Sequence, residues 1–199
     1  MFGKLTRVAL LSVCFAACSA QASDHQNLLQ SNGGMLASAN LGFEDYVQAG
    51  ALPWSWQHAG NQGYDVVTDG SVVHSGRASG LIAARAGHGE FGAFAQCTPV
   101  AAAQRGRRLL YSGFLKTEGV ANGFGGLWLR LDGADGSVLA FDNMANRGVS
   151  GTTDWTRYDI VLEVPAGAVQ ACYGSLLVGD GALWTDDLTF DYPASAVAR

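Results

Sequence analysis

This sequence predicts an all-β fold, an antiparallel β-sandwich or jelly roll of about ten strands, and three observations support it. From Asn40 onward, runs of five to nine residues with period-2 alternation recur, each closed by Gly, Asp, Asn or Pro. No stretch carries the i, i+3, i+4, i+7 apolar stripe of a substantial helix. The composition, 48% hydrophobic and 15% charged over 199 residues, suits one packed domain and excludes a disordered chain.

The clearest runs are 78–85, 91–100, 108–117, 126–132, 138–142, 155–164, 172–178 and 183–192. Shorter ones lie at 41–46, 54–58 and 64–68. Residues 101–107 are the one helix-permissive piece, and their Ala-rich opening reads as a loop or single turn. The organisation is therefore a leader over 1–22, a polar tail over 23–38, one domain over 39–193 and a short tail over 194–199. There is no internal repeat and no linker.

Alternation assigns side-chain direction. In 126–132, Leu127, Leu129 and Leu131 share one face, and Trp128, Arg130 and Asp132 share the other. A core takes Arg130 and Asp132 only at high cost, so the leucines go inward and Trp128 points outward. Phe114 and Lys116 fall opposite Tyr111, Gly113 and Leu115. Farther on, Tyr158, Ile160, Leu162 and Val164 make a core face, leaving Arg157, Asp159 and Glu163 outside.

If the Phe114 and Trp128 runs are neighbouring strands, one outer face carries two aromatics, Lys116 and Arg130. Such a face suits a sugar: rings stack on apolar C–H faces while charged groups bond hydroxyls. The other arrangement puts Trp128 under a loop and Phe114 in the core. The 142–155 segment adds a polar loop in which Asp142, Asn143 and Arg147 are candidates, with Asn143 and Arg147 bonding hydroxyls or a carboxylate. Its alternative is a packed loop with Asn143 as turn former and Trp155 plugging the end of the sandwich.

Twelve Lys+Arg face 17 Asp+Glu, a formal net charge of −5, and the one basic run is Arg105-Gly106-Arg107-Arg108. That balance argues against a nucleic-acid binder, which needs positive surface to neutralise phosphates. Lys4 and Arg7, an apolar run from Val8 to Ala17, and Ala20-Gln21-Ala22 form a secretory leader cleaved before Ser23. The run is too short to be a transmembrane segment. Phe15-Ala16-Ala17-Cys18-Ser19 is also a loose lipobox, so the alternative product is a lipoprotein anchored at Cys18. Either product is exported, to the periplasm or beyond. Cleavage leaves Cys97 and Cys172, which form one disulfide in an oxidising compartment or stand as two buried thiols.

Three motifs in order add a resemblance: Asn40-Leu41-Gly42-Phe43-Glu44, then Val73-His74-Ser75-Gly76-Arg77-Ala78-Ser79, then Trp184-Thr185-Asp186-Asp187-Leu188-Thr189-Phe190. Over about residues 40–192 the chain resembles the galactose-binding-like jelly rolls, which include many carbohydrate-binding modules of xylanases and cellulases. The resemblance implies a structural calcium held by Glu44, loop carbonyls and Asp186 or Asp187, hard oxygen ligands that would staple the first strand to the last.

The middle of the chain carries Gly125-Gly126-Leu127-Trp128-Leu129-Arg130, Leu139-Ala140-Phe141-Asp142-Asn143-Met144 and the 147–155 segment. It is similar to an accessory jelly roll found beside erythromycin-esterase-like, tail-specific-protease-like and transcription-regulator modules. This resemblance implies an accessory or binding domain and names no ligand.

The catalytic inventory is thin. The four histidines come with no Gly-x-Ser-x-Gly elbow, His-Glu-x-x-His, Cys-x-x-Cys or P-loop. The expectation is a secreted, non-catalytic binding module for a carbohydrate ligand, through Phe114, Trp128, Arg130, Asp142, Asn143 and Arg147. An envelope domain with a protein partner is the alternative, and a small jelly-roll carbohydrate-active enzyme ranks third.

Overall fold

The structure, a computed structural model, describes residues 39–193. The leader over 1–22, the tails over 23–38 and 194–199, and the Cys18 anchor lie outside the described residues. The strands are β1 (Gln57–Gly60), β2 (Tyr64–Asp69), β3 (Ser79–Ala84), β4 (Phe91–Pro99), β5 (Arg108–Gly133), β6 (Val138–Asp142), β7 (Val149–Glu163) and β8 (Ala168–Asp191). A single 3-10 turn, Ala102–Gln104, precedes β5, where the sequence is Ala-rich.

The strands form one continuous antiparallel network, because β5 and β8 are long enough to run through two leaves. In the first leaf the order is β1-β4-β8-β5-β6, built from the front half of β8 and the back half of β5. In the second it is β2-β3-β8-β5-β7, built from the opposite halves. The result is a β-sandwich jelly roll, as the alternation predicts.

The number of strands differs from the expectation. The runs at 108–117 and 126–132 are one strand, as are those at 172–178 and 183–192. Between them the chain turns a corner without leaving the ladder, and pairing shifts register at Glu118/Ala121 and Ala121/Phe124. Gly179 and Gly181 sit at φ +79° and +96° there, and a Cβ on either would lie within 2.6 Å of a carbonyl of the facing β5. The 41–46 run is also not a strand. Asn40 (φ 48°) and Phe43 (φ 60°) turn the backbone, and the Asn40 side chain bonds Asp45 and Trp54 backbone groups at 2.8–3.0 Å.

Face assignment follows the sequence. Leu127, Leu129, Leu131 and Ile160 are fully buried between the leaves. Tyr111 of the second leaf packs 5.7 Å from Tyr173 of the first, and its Oη donates to the Gly174 carbonyl. Phe43 stacks on Trp56, and both meet Phe94 edge-on. Truncating any one of these leucines to alanine costs about 2–5 kcal/mol.

The corner is tied from outside. His88, between β3 and β4, donates from Nε2 to Asp180 Oδ1 (3.0 Å) and from Nδ1 to the Gly89 carbonyl (2.7 Å). The Tyr64 hydroxyl also lies 3.0 Å from Nδ1, and the Asp180 side chain raises the pKa of the ring. Asn122 Nδ2 donates to the other Asp180 oxygen at 2.7 Å, joining the two corners.

Candidate functional site

Strand pairing defines the outer face of the first leaf. Its rows are Ala59, Ala93, Leu176, Gly126; Gln57, Ala95, Gly174, Trp128; and Cys97, Cys172, Arg130, Phe141. A further row holds Pro99, Gln170 and Asp132, with Val138 opposite on β6. Small residues fill the middle, and Ala93, Ala95 and Leu176 are buried. The solvent-exposed aromatics stand at the borders, Phe141 (39% exposed) on edge strand β6 and Trp54 (62%) just before edge strand β1.

Cys97 and Cys172 face each other across β4 and β8 with Cα atoms 4.1 Å apart, and they form a disulfide. Beside them Arg130 donates from Nε and Nη2 to Asp132 Oδ2 at 3.1 and 2.9 Å. Both side chains are largely buried.

Trp128 is on the outer side, opposite the leucines, but it is only 8% exposed and is not presented as a platform. The β4–β8 ladder lacks pairs between Ala93↔Leu176 and Gln96↔Tyr173, and the Trp128 Nε1 proton goes to the Phe94 carbonyl in that gap at 3.0 Å. Gly174 makes this fit, since a Cβ there would collide with the Phe94 carbonyl and meet the indole nitrogen at 3.1 Å.

Phe114 does not join Trp128. Both are on β5, but on opposite sides of its corner, so they face outward from different leaves. The shared aromatic platform with Lys116 and Arg130 is therefore not formed. The open face of Phe114 is also taken: the His74 ring stacks on it at 3.7 Å and 16°, with Trp155 edge-on to His74 at 5.6 Å. His74 Nδ1 donates to Asp187 Oδ2 at 2.6 Å, fixing the ring over Phe114. Trp155 is thus half-buried on the second leaf's outer face, beside Lys116, whose Nζ donates to Asp154 at 2.9 Å.

In the 142–155 segment the candidate groups are used internally. Arg147 makes a twin bond to Asp142, Nη1 to Oδ1 at 3.0 Å and Nη2 to Oδ2 at 2.8 Å, and its Nη2 also reaches the Asp159 carbonyl. Burial works to raise the Asp142 carboxyl, but the bonds from Arg147 and the Met144 N–H outweigh it and hold it below the usual carboxylate range. Asp142 and Arg147 therefore brace the connection between the two leaves. Asn143 Oδ1 accepts from the Ala145 N–H at 3.2 Å, a turn-forming role.

The three carboxylates named for calcium all accept hydrogen bonds from the protein. Both Glu44 oxygens accept the Arg77 N–H at 2.9–3.0 Å. Asp186 Oδ2 accepts the His74 and Ser75 N–H groups, and Oδ1 accepts that of Asp187. Asp187 takes the Ser75 hydroxyl and the His74 ring. These oxygens serve N–H and O–H donors of the protein, and among the described residues no group of three or more His, Cys, Asp or Glu could hold a metal. Burial pushes the Asp186 carboxyl up to about 6 against those three N–H bonds.

Sequence reasoning missed Trp54, Phe141, and the roles of His74 and Asp132. Phe141 was readable in part, since it alternates within a strand that the sequence delimits. The 54–58 run starts too early, since β1 begins at Gln57 and leaves Trp54 in a turn, and His74 sits in a connection where periodicity says nothing.

No protein-family model matches the chain. It is 37% identical over 150 residues, 74% of its length, to a Bacillus subtilis protein named as an uncharacterized HTH-type transcriptional regulator, YbfP. The chain spans about half the length of that relative, 50%. Among solved structures, the CBM22-1 xylan-binding domain of Paenibacillus barcinonensis Xyn10C superposes with TM-score 0.51 at 13% identity, covering 78% of this chain and 93% of that one. An arabinose-bound MgGH51 α-L-arabinofuranosidase gives 0.57 at 16%, covering 78% and 26%. At such identities the likeness establishes the fold, a β-sandwich jelly roll that carbohydrate-binding modules share. Among the described residues no helix is long and apolar enough to cross a membrane.

Proposed function

We propose that the chain is an exported, non-catalytic carbohydrate-binding module whose ligand lies across the outer face of the first leaf. The observation that carries this reading is the make-up of that face: a floor of Ala, Gly and the Cys97–Cys172 bridge, a paired Arg130 and Asp132, and exposed aromatics at both borders. Five strands at about 4.8 Å spacing make the face roughly 19 Å wide from β1 to β6, a span suited to a chain of several sugars rather than one. Trp128 lies flat in the floor and adds apolar area beneath the ligand. The xylan-binding domain of the same fold supports a polysaccharide as ligand. The disulfide supports an oxidising compartment.

The test is affinity electrophoresis of the folded protein in gels containing arabinoxylan, mixed-linkage β-glucan or galactomannan, beside Trp54→Ala and Phe141→Ala. Wild type is retarded by at least one polymer, and Phe141→Ala binds about 2- to 10-fold more weakly, with Trp54→Ala reporting whether the turn before β1 joins the face. Free migration in every gel refutes the reading. That result would favour a protein partner instead, for which exposed Val138, Leu139, Phe141 and Val161 on edge strands β6 and β7 are the supporting observation.

A further inference from the structure

We infer that Asp132 reads the hydroxyl groups of an uncharged polysaccharide and so sets which glycan the face accepts; the inference rests on the carbohydrate reading above. Asp132 is 5% exposed. Its Oδ2 takes both bonds from Arg130, while its Oδ1 is buried and accepts no hydrogen bond. An ionised oxygen left in that condition is expensive, and folded proteins seldom keep one without a use for it.

The chemistry of the missing partner is narrow. A metal cation would approach the same carboxylate that Arg130 already binds and would meet the guanidinium charge. A carboxylate or phosphate brings no proton and would be repelled by Asp132. A neutral O–H or N–H donor brings a proton and no charge, which is what the orphaned oxygen lacks, and on the carbohydrate reading that donor is a hydroxyl. Polysaccharides supply hydroxyls at a regular spacing along an otherwise apolar ring surface.

The charge of the face agrees. Arg130 and Asp132 are the charged members of the four rows, and they cancel each other at 2.9 Å. Nothing there draws in an acidic glycan, and the chain's net charge of −5 opposes one. Asp132 has Gln170 and Val138 as cross-strand neighbours. Val138, at 42% exposed, places this pair on the border of the face that meets solvent.

The experiment runs wild type and Asp132→Asn through gels of the three neutral polymers, of the O-methylated form of whichever polymer retains wild type, and of polygalacturonate. Near-UV circular dichroism checks that the variant is folded. Expected are retention of wild type by a neutral polymer, free passage on polygalacturonate, and about tenfold or greater weakening in the variant. O-methylation, which removes the hydroxyl protons and keeps the chain, abolishes retention. A folded variant retained like wild type overturns the role of Asp132 and leaves the carbohydrate reading standing. So does equal retention of wild type on the methylated polymer, which decides the matter even if the variant does not fold. Retention on polygalacturonate overturns the claim of neutrality, and free passage of wild type in every gel overturns both readings.

Discussion

Reducing the Cys97–Cys172 bridge is a large perturbation whose size follows from the topology. The two cysteines are 75 residues apart, and the loop between them contains all of β5, β6 and β7. On the chain-entropy treatment, closing a loop of that length removes about 4.5 kcal/mol worth of unfolded-state freedom at 25 °C. The bridge links residues that β4 and β8 already hold opposite one another, so its loss leaves the native pairing intact. For a domain of this size each kcal/mol moves the Tm by about 2–4 °C, so reduction lowers it by roughly 9–18 °C. The assay is thermal and urea unfolding of oxidised and dithiothreitol-reduced protein, with thiols counted by mass spectrometry in each sample. Cys97→Ala/Cys172→Ala serves as the permanently open form. The released chain also exposes more surface when unfolded, so the urea m-value rises on reduction. Tm values within about 3 °C of each other, with the redox states verified, would refute the reasoning, because the unfolded chain would then gain nothing from the open loop.

Three further outcomes follow from particular contacts. Trp128→Phe leaves the Phe94 carbonyl without its donor and costs about 1–3 kcal/mol in urea unfolding, where a surface aromatic would cost nothing. The His88 ring is held above its usual pKa, first by the Asp180 side chain and then by the Gly89 carbonyl. Its contribution is complete below the unfolded value of 6.5 and is lost as pH rises through the higher folded value. Asp186, raised to about 6, acts in the same direction, because its buried charge appears as pH climbs from 3.8 through that value. The Tm gap between wild type and His88→Gln is therefore widest near pH 6 and closes toward pH 9, a trend that differential scanning fluorimetry reads directly. Finally, EDTA leaves the Tm unchanged, as Glu44, Asp186 and Asp187 already have protein donors.

How far the sequence discloses this fold is plainest on β5. The alternation of Leu127, Leu129 and Leu131 against Trp128, Arg130 and Asp132 gives the correct inward face, because one period-2 run decides it locally. The same sequence does not disclose that 108–117 and 126–132 are one strand. Gly119, Asn122 and Gly123 between them suit a turn between two strands as well as a corner within one, since both demand positive φ or close backbone approach. What decides is that β8 carries Gly179 and Gly181 at the same level, so that both strands fold over together and stay paired. That is a fact about two distant segments at once. No local pattern contains it.

The site follows the same rule, one step later. Direction was legible for Trp128 and Phe114, but the fate of each ring depends on a residue far along the chain. Gly174 and the Phe94 carbonyl lay the indole down, and His74, steered by Asp187, covers Phe114. Carboxylates show the limit most sharply. An acid of the Glu44–Asp186 set suits a calcium shell and suits a loop whose backbone N–H groups need acceptors, and the sequence states only that an oxygen is present. In this fold the 74–77 loop supplies N–H groups to Glu44 and Asp186, with one more from Asp187. Asp132 is the reverse case: its fold supplies Arg130 for one oxygen and nothing for the other. A residue whose partners are incomplete inside the protein is therefore a better guide to the ligand than one whose side chain merely faces outward.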